Sequence, residues 1–167
     1  MAPQREPLRS RPGPAGYFAE GEEGMLPWTH VVLELRDARN YWISTVSPAD
    51  RMPHSMPVWA VWEEEQLLFS TSPVSAKARN LRHSPNTCVH LESGRRVVML
   101  QGETHPVEDP RIQELYRLHY NPKYDWDFTP EQVRKGVYSF RPSRGFAWLD
   151  DHGDGFAKAG TRFTFDR

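Results

Sequence analysis

Short apolar runs recur along the chain, separated by clusters of Pro, Gly and charged residues. "NYWISTV" (40–46), "SMPVWAVW" (55–62), "QLLFST" (66–71), "NTCVHLE" (86–92), "RVVMLQGETHPV" (96–107), "VYSFRPSRGFAWL" (137–149) and "TRFTF" (161–165) have the length and composition of strands. "SPADRMP" and "SGR" read as turns, and "EEE" as a polar hairpin tip. Helical spacing predicts a helix over 28–39, with Val32 and Leu35 on one face and Thr29 as its cap. A second covers 109–120, with Ile112, Leu115, Tyr116 and His119 aligned. "TPEQVRKG" predicts a short helix capped by Thr129, with Pro130 first and Gly136 past its end. About six or seven strands in hairpin order, with no βαβ alternation, predict a mainly β (α+β) fold: a small antiparallel barrel with peripheral helices.

The stretch "STSPVSAKARNLRHSPN" (70–86) follows the third of these strands. Ser70, Thr71 and Ser72 end it, Pro73 reads as the first helical residue, and Val74, Ala78 and Leu81 share a face. Lys77 and Arg79 then fall near a helix N-terminus, where positive charge is unfavourable against the dipole. A bound anion would reverse that balance: free N–H groups, Ser70, Thr71, Ser72 and Ser75 as donors, and the Lys77 charge suit a phosphate. A capping turn with a solvated Lys and Arg accounts for the same residues, and local composition leaves both readings open.

Composition narrows the rest. With 167 residues the chain has material for one ordinary domain. Residues 1–24 are rich in Pro and Gly, and are expected to be flexible or to drape over a domain formed by 25–167. A net charge of -1 gives no basic surface for nucleic acid. No apolar run approaches the ~20 residues of a membrane span, and no apolar signal core opens the chain, so the expected location is the cytoplasm. The single cysteine, Cys88, excludes an internal disulfide and reads as an inert strand residue.

Metal and hydrolytic chemistry find little support. The seven histidines form no metal-binding spacing. "DDHGDG" (150–155) has calcium-loop spacing at Asp150, His152 and Asp154, but Thr161 stands where a bidentate Glu is needed. No GxSxG elbow is present. Six Trp and six Tyr fit aromatic walls around a flat ligand, a dimer seam or core packing.

Taken together, Pro53, the run Pro57-Val58-Trp59, Thr71, the "K-x-x-N-L" of 77–81, the Ser84-Pro85 turn and Gly102 occur in the order of one family. The chain resembles the flavin- and deazaflavin-binding split barrels related to pyridoxamine 5'-phosphate oxidase. The ending "GFAWLDDHGDGFAKAGTRFTF" is similar to that family's closing hairpin.

The resemblance implies a split β-barrel and a homodimer, with the phosphate of a flavin mononucleotide (FMN) or of the deazaflavin coenzyme F420 at the helix start. By position it implies Ser70, Thr71, Ser72, Ser75, Lys77 and Asn80 as cofactor ligands. Pro57, Val58, Trp59 and Ala60 would lie along the ring, and Arg144 and Trp148 would come from the second subunit. True pyridoxamine 5'-phosphate oxidases end in an Arg-x-His motif; this chain ends in "TRFTFDR", which argues against vitamin B6 oxidation. The "SAKARNL" segment and "TRF" ending look more like the deazaflavin-dependent reductases. The expected activity is hydride transfer between F420 and a small conjugated planar substrate, with FMN, or cofactor binding without turnover, as alternatives. No catalytic residue is assigned: His54 and Tyr120 are candidate proton donors, His54 reads equally as a strand residue facing solvent, and proton delivery by water fits the sequence as well.

Overall fold

The computed structural model describes residues 6–14, 16–150 and 155–166. The expectation for the loop at 150–155 rests on 151–154, outside the described residues. The elements are β1 (Leu8–Ser10), α1 (Trp28–Asp37), β2 (Tyr41–Val46), β3 (Pro53–Val58), β4 (Ala60–Glu63), β5 (Gln66–Ser70), α2 (Ala76–His83), β6 (Asn86–His90), β7 (Arg96–Pro106), α3 (Pro110–Tyr124), a 3-10 turn (Gln132–Arg134), β8 (Val137–Leu149), α4 (Gly155–Ala159) and β9 (Thr161–Thr164).

The sheet is antiparallel and open. Its main path runs β1-β9-β8-β7-β6-β2-β3, and β5, paired with β4, joins it at β8. The split lies within β8. Its first part pairs with β5 (Ser70↔Val137 to Leu67↔Phe140) and its later part with β9 (Arg144↔Thr164 to Ala147↔Thr161). β7 accompanies β8 along its length, with a bulge between Gln101 and Gly102. A side chain at Gly102 would run into the Arg141 carbonyl, so glycine lets the two backbones meet where β8 changes partner. This is the mainly β, α+β split barrel with peripheral helices.

Two cores fill it. In the larger, Trp28 of α1 meets Trp62, Phe163 and Phe165 edge-on, over Ile43, Leu67, Phe69, Val89 and Leu100. In the smaller, Tyr116, Tyr120 and Tyr124 project from α3 at a spacing of one helical turn, over Val61, Leu68 and Val137. Burying each aromatic ring contributes on the order of 1.5–3 kcal/mol.

Several boundaries differ from the sequence reading. Pro27, not Thr29, occupies the N-cap of α1, and no side chain caps it. The run 55–62 breaks at Trp59 into β3 and β4, because β3 pairs with β2 while β4 turns to β5. α3 runs on to Asp125, a left-handed cap at φ 52°, and its buried stripe takes Gln113, Tyr120 and Tyr124 in place of Leu115 and His119. His119 faces outward to Glu63, 3.1 Å away. The 129–136 segment forms only a 3-10 turn, though Thr129 and Gln132 do bond reciprocally, as in a capping box. Within the N-terminal segment, Leu8–Ser10 add β1 beside β9, a strand its composition did not announce. The Arg11 guanidinium ties it down by donating to the carbonyls of Gly21, Glu23, Lys158 and Gly160.

Candidate functional site

Thr71 is pinned where β5 ends. Its N–H donates to the Gly136 carbonyl at 2.9 Å, and Gly136 has φ +87° with a Cβ position only 2.8 Å from the Thr71 oxygen. Only glycine suits that crossing. Ser72 to Ser75 then form a turn closed by the Ser75 N–H on the Ser72 carbonyl (3.0 Å). The helix starts later than its proline suggests. Pro73 lies in the turn, Val74 is exposed, and Ser75 is the N-cap, accepting from the Ala78 N–H at 3.1 Å. Thr71 Oγ1 lies 3.1 Å from Ser75 Oγ.

The cations here divide. Arg79 and Arg82 fold back onto the turn, donating to the Val74 (2.6 Å) and Pro73 (2.9 Å) carbonyls. Lys77 does not. Its ammonium lies 5.8 Å from the centre of the Phe69 ring, and among the described residues it has no carboxylate partner. Burial pushes its pKa below the ordinary lysine value. The Ala76 and Lys77 N–H groups find no acceptor among the described residues, as expected of a first helical turn.

These groups border a cleft of about 460 Å³. Thr45 of β2, residues 54–57 of β3, and Thr71, Ser75, Ala76 and Lys77 line it. The cleft therefore brings together Pro57, Thr71, Ser75 and Lys77 from the residues the sequence singled out. Ser70 and Ser72 instead line a second hollow, of about 410 Å³, shared with Phe128, Gln132 and Lys135, and the Ser70 hydroxyl accepts from Tyr116 (3.0 Å). Asn80 is buried, and its amide is engaged with Thr45 and His54.

The remaining five lie elsewhere in the molecule. Val58 and Ala60 are buried in the core. Trp59 stacks on Tyr124 (4.9 Å, 4°). Arg144 and Trp148 are on the later part of β8 and line no part of this cleft, the Trp148 ring meeting Phe156 instead. Tyr120, on α3, is packed between Tyr116 and Tyr124 and does not line this cleft. Thr45, Ser55 and Met56 were missed; the Thr45↔His54 register across β2 and β3 places them, and local sequence does not carry register.

Residues 29–149 match the family model for pyridoxamine 5'-phosphate oxidase. The chain belongs to that family. Solved structures add the fold in detail. An F420 reductase is 24% identical over 67% of this chain and 93% of its own, with a TM-score of 0.54. A conserved hypothetical protein from Mycobacterium tuberculosis is 20% identical over 80% and 91%, with a TM-score of 0.67. A protein from Listeria innocua, described as a putative pyridoxamine 5'-phosphate oxidase, is 19% identical over 72% and 94%, with a TM-score of 0.55. At these identities the likeness is one of fold. No curated protein matches the chain. No helix is long and apolar enough to cross a membrane, and no group of metal-ligating side chains forms among the described residues.

Proposed function

We propose that this family member is an oxidoreductase that holds coenzyme F420 by its phosphate at the start of α2 and exchanges a hydride with a small conjugated planar substrate. The observation that carries it is Lys77: a half-buried ammonium that has, among the described residues, no carboxylate partner, beside two helical N–H groups without an acceptor there and the Thr71–Ser75 hydroxyl pair. That donor set suits a phosphomonoester or phosphodiester, with a charge-assisted bond from Lys77 worth about 1.5–3 kcal/mol. A ring of this type, when bound, supplies two-electron hydride chemistry. The protein's part is to fix the phosphate with Thr71, Ser75 and Lys77 and to offer the Pro57 edge of β3 to the ring. The choice of the deazaflavin rests on the "SAKARNL" segment and the "TRF" ending, which look like those of the deazaflavin-dependent reductases, and an F420 reductase shares the fold. The phosphate cradle itself would serve FMN equally, so FMN is the reading to beat.

The partner in this proposal is a second copy of the chain. β3 is exposed from Pro53 to Pro57, and Met52, Met56 and Trp59 leave apolar surface beside the cleft. An edge strand of that kind is normally covered. A homodimer would also bring Arg144 and Trp148 of the second subunit to the ring. Light scattering at micromolar concentration is expected to give twice the chain mass, and a monomer that binds cofactor tightly would sink the shared-site picture. The deciding titration uses purified F420 and FMN. Tighter binding of F420 supports the proposal, tighter FMN transfers it to a flavin enzyme, and binding of neither removes it.

A further inference from the structure

His54 and Asn80 form a pair that the phosphate cradle does not use. Asn80 is 3% exposed and Thr45 2% exposed, and the Asn80 Nδ2 donates to Thr45 Oγ1 at 3.0 Å. The same Nδ2 lies 3.2 Å from His54 Nδ1. A neutral imidazole has one donor and one acceptor nitrogen. With the Asn80 amide in this orientation, Nδ1 is the acceptor and the ring proton belongs on Nε2. His54 lines the cleft, and its Nε2 has no hydrogen-bond partner among the described residues.

We propose that His54 presents Nε2–H as a fixed hydrogen-bond donor to an oxygen of the molecule bound in the cleft, and that Asn80 is a positioning residue for this tautomer, not a cofactor ligand. The inference rests on the cleft being the binding site. The geometry gives it a reason: α2 carries Asn80 inward one turn after Lys77, so one helix both supplies the anion's cation and sets the imidazole opposite. The oxygen recognised is a carbonyl of the ring or an oxygen of the phosphate, chemically alike as acceptors.

Two measurements test it. Nitrogen-15 NMR of the histidine-labelled protein at pH 8 reads the tautomer directly. Wild type is expected to show Nε2–H, and Asn80→Asp, which places an acceptor against Nδ1, to move the proton to Nδ1. An Nδ1–H form in wild type overturns the proposal, whatever the variant does. Titrations with F420, FMN and inorganic phosphate then compare wild type with the exposed-site variants His54→Ala and His54→Gln. His54→Ala is expected to weaken binding about tenfold, with partial rescue in His54→Gln, which keeps an N–H donor. Loss confined to F420 and FMN assigns the bond to a ring carbonyl; loss that extends to inorganic phosphate assigns it to the phosphate. Unchanged affinity in His54→Ala overturns the donor role alone. If wild type binds none of the three, the cleft reading and the donor role fall together, and the NMR result by itself decides whether Asn80 positions His54.

Discussion

Lys77 and Lys123 are both drawn partly out of water, and burial lowers the pKa of each below the usual lysine value, that of Lys123 to about 8. Their surroundings differ. The Lys123 ammonium donates to the Arg36 carbonyl (3.1 Å), the Tyr41 hydroxyl (2.9 Å) and the Ala60 carbonyl (3.2 Å), and lies over the Tyr41 and Tyr124 rings. Tyr41 in turn donates to Leu35, and Tyr124 bonds the backbone of Ala60. All three ammonium protons have acceptors, and the network ties α1, α3 and β4 together. Lys77 has one aromatic face and, among the described residues, no acceptor. Half-burial alone thus marks neither lysine as functional. What separates them is whether the donor capacity of the cation is already satisfied by the protein.

The largest expected effect lies on the unsatisfied side. Lys77→Ala should weaken F420 or FMN binding by roughly ten- to a hundredfold, since 1.4 kcal/mol is tenfold, while leaving the melting temperature nearly unchanged. Unaltered affinity in this variant would erase the distinction between the two lysines. Lys123→Met should do the reverse. It leaves the Arg36 carbonyl without its donor and is expected to lower stability by about 1–2 kcal/mol in urea unfolding, with cofactor affinity unmoved.

A pH series sharpens the same contrast. The folded value for Lys123 is about 8 and the unfolded value 10.5, so burial penalises the charged form. That penalty is present in full below pH 8, and it is relieved as pH rises from 8 towards 10.5, where the unfolded chain binds more protons. Wild type should therefore gain stability relative to Lys123→Met between pH 8 and 9.5. A flat or falling difference would show that the ammonium is not desolvated. The smallest effect is assigned to Arg82→Ala, whose guanidinium already caps the Pro73 carbonyl and which should change affinity less than about twofold by titration.

The legibility of these features in the sequence follows from how local each one is. β2, β5 and β8 could be read because their apolar periodicity and their turn residues agree. The break at Trp59 could not, since Pro57 to Trp62 is uninterrupted strand composition and only the divergence of β2 and β5 splits it. Pro73 promised an earlier helix. The Gly136 carbonyl, far along the chain, holds Thr71 and moves the start to Ser75. Thr71, Ser75 and Lys77 were legible as a group lining one cleft because they are neighbours in sequence. The Asn80–His54 contact was not, because it needs β3 in register with β2 and α2 laid across both.

The sharing of β8 between the two halves of the split sheet has a consequence in time. During synthesis, β5 emerges well before the strand that covers its outer edge, and the gap from Ser70 to Val137 corresponds to roughly 3–13 s at ordinary ribosomal rates of about 5–20 residues per second. Through that interval Leu67, Leu68 and Phe69 form an apolar β segment with one side unpaired, a template for association with other nascent chains. Glu63, Glu64 and Glu65 stand immediately before it, and Glu64 and Glu65 turn the β4–β5 hairpin at φ 47° and 60°. The acidic tip is then a gatekeeper as well as a turn, holding like-charged chains apart until β8 arrives.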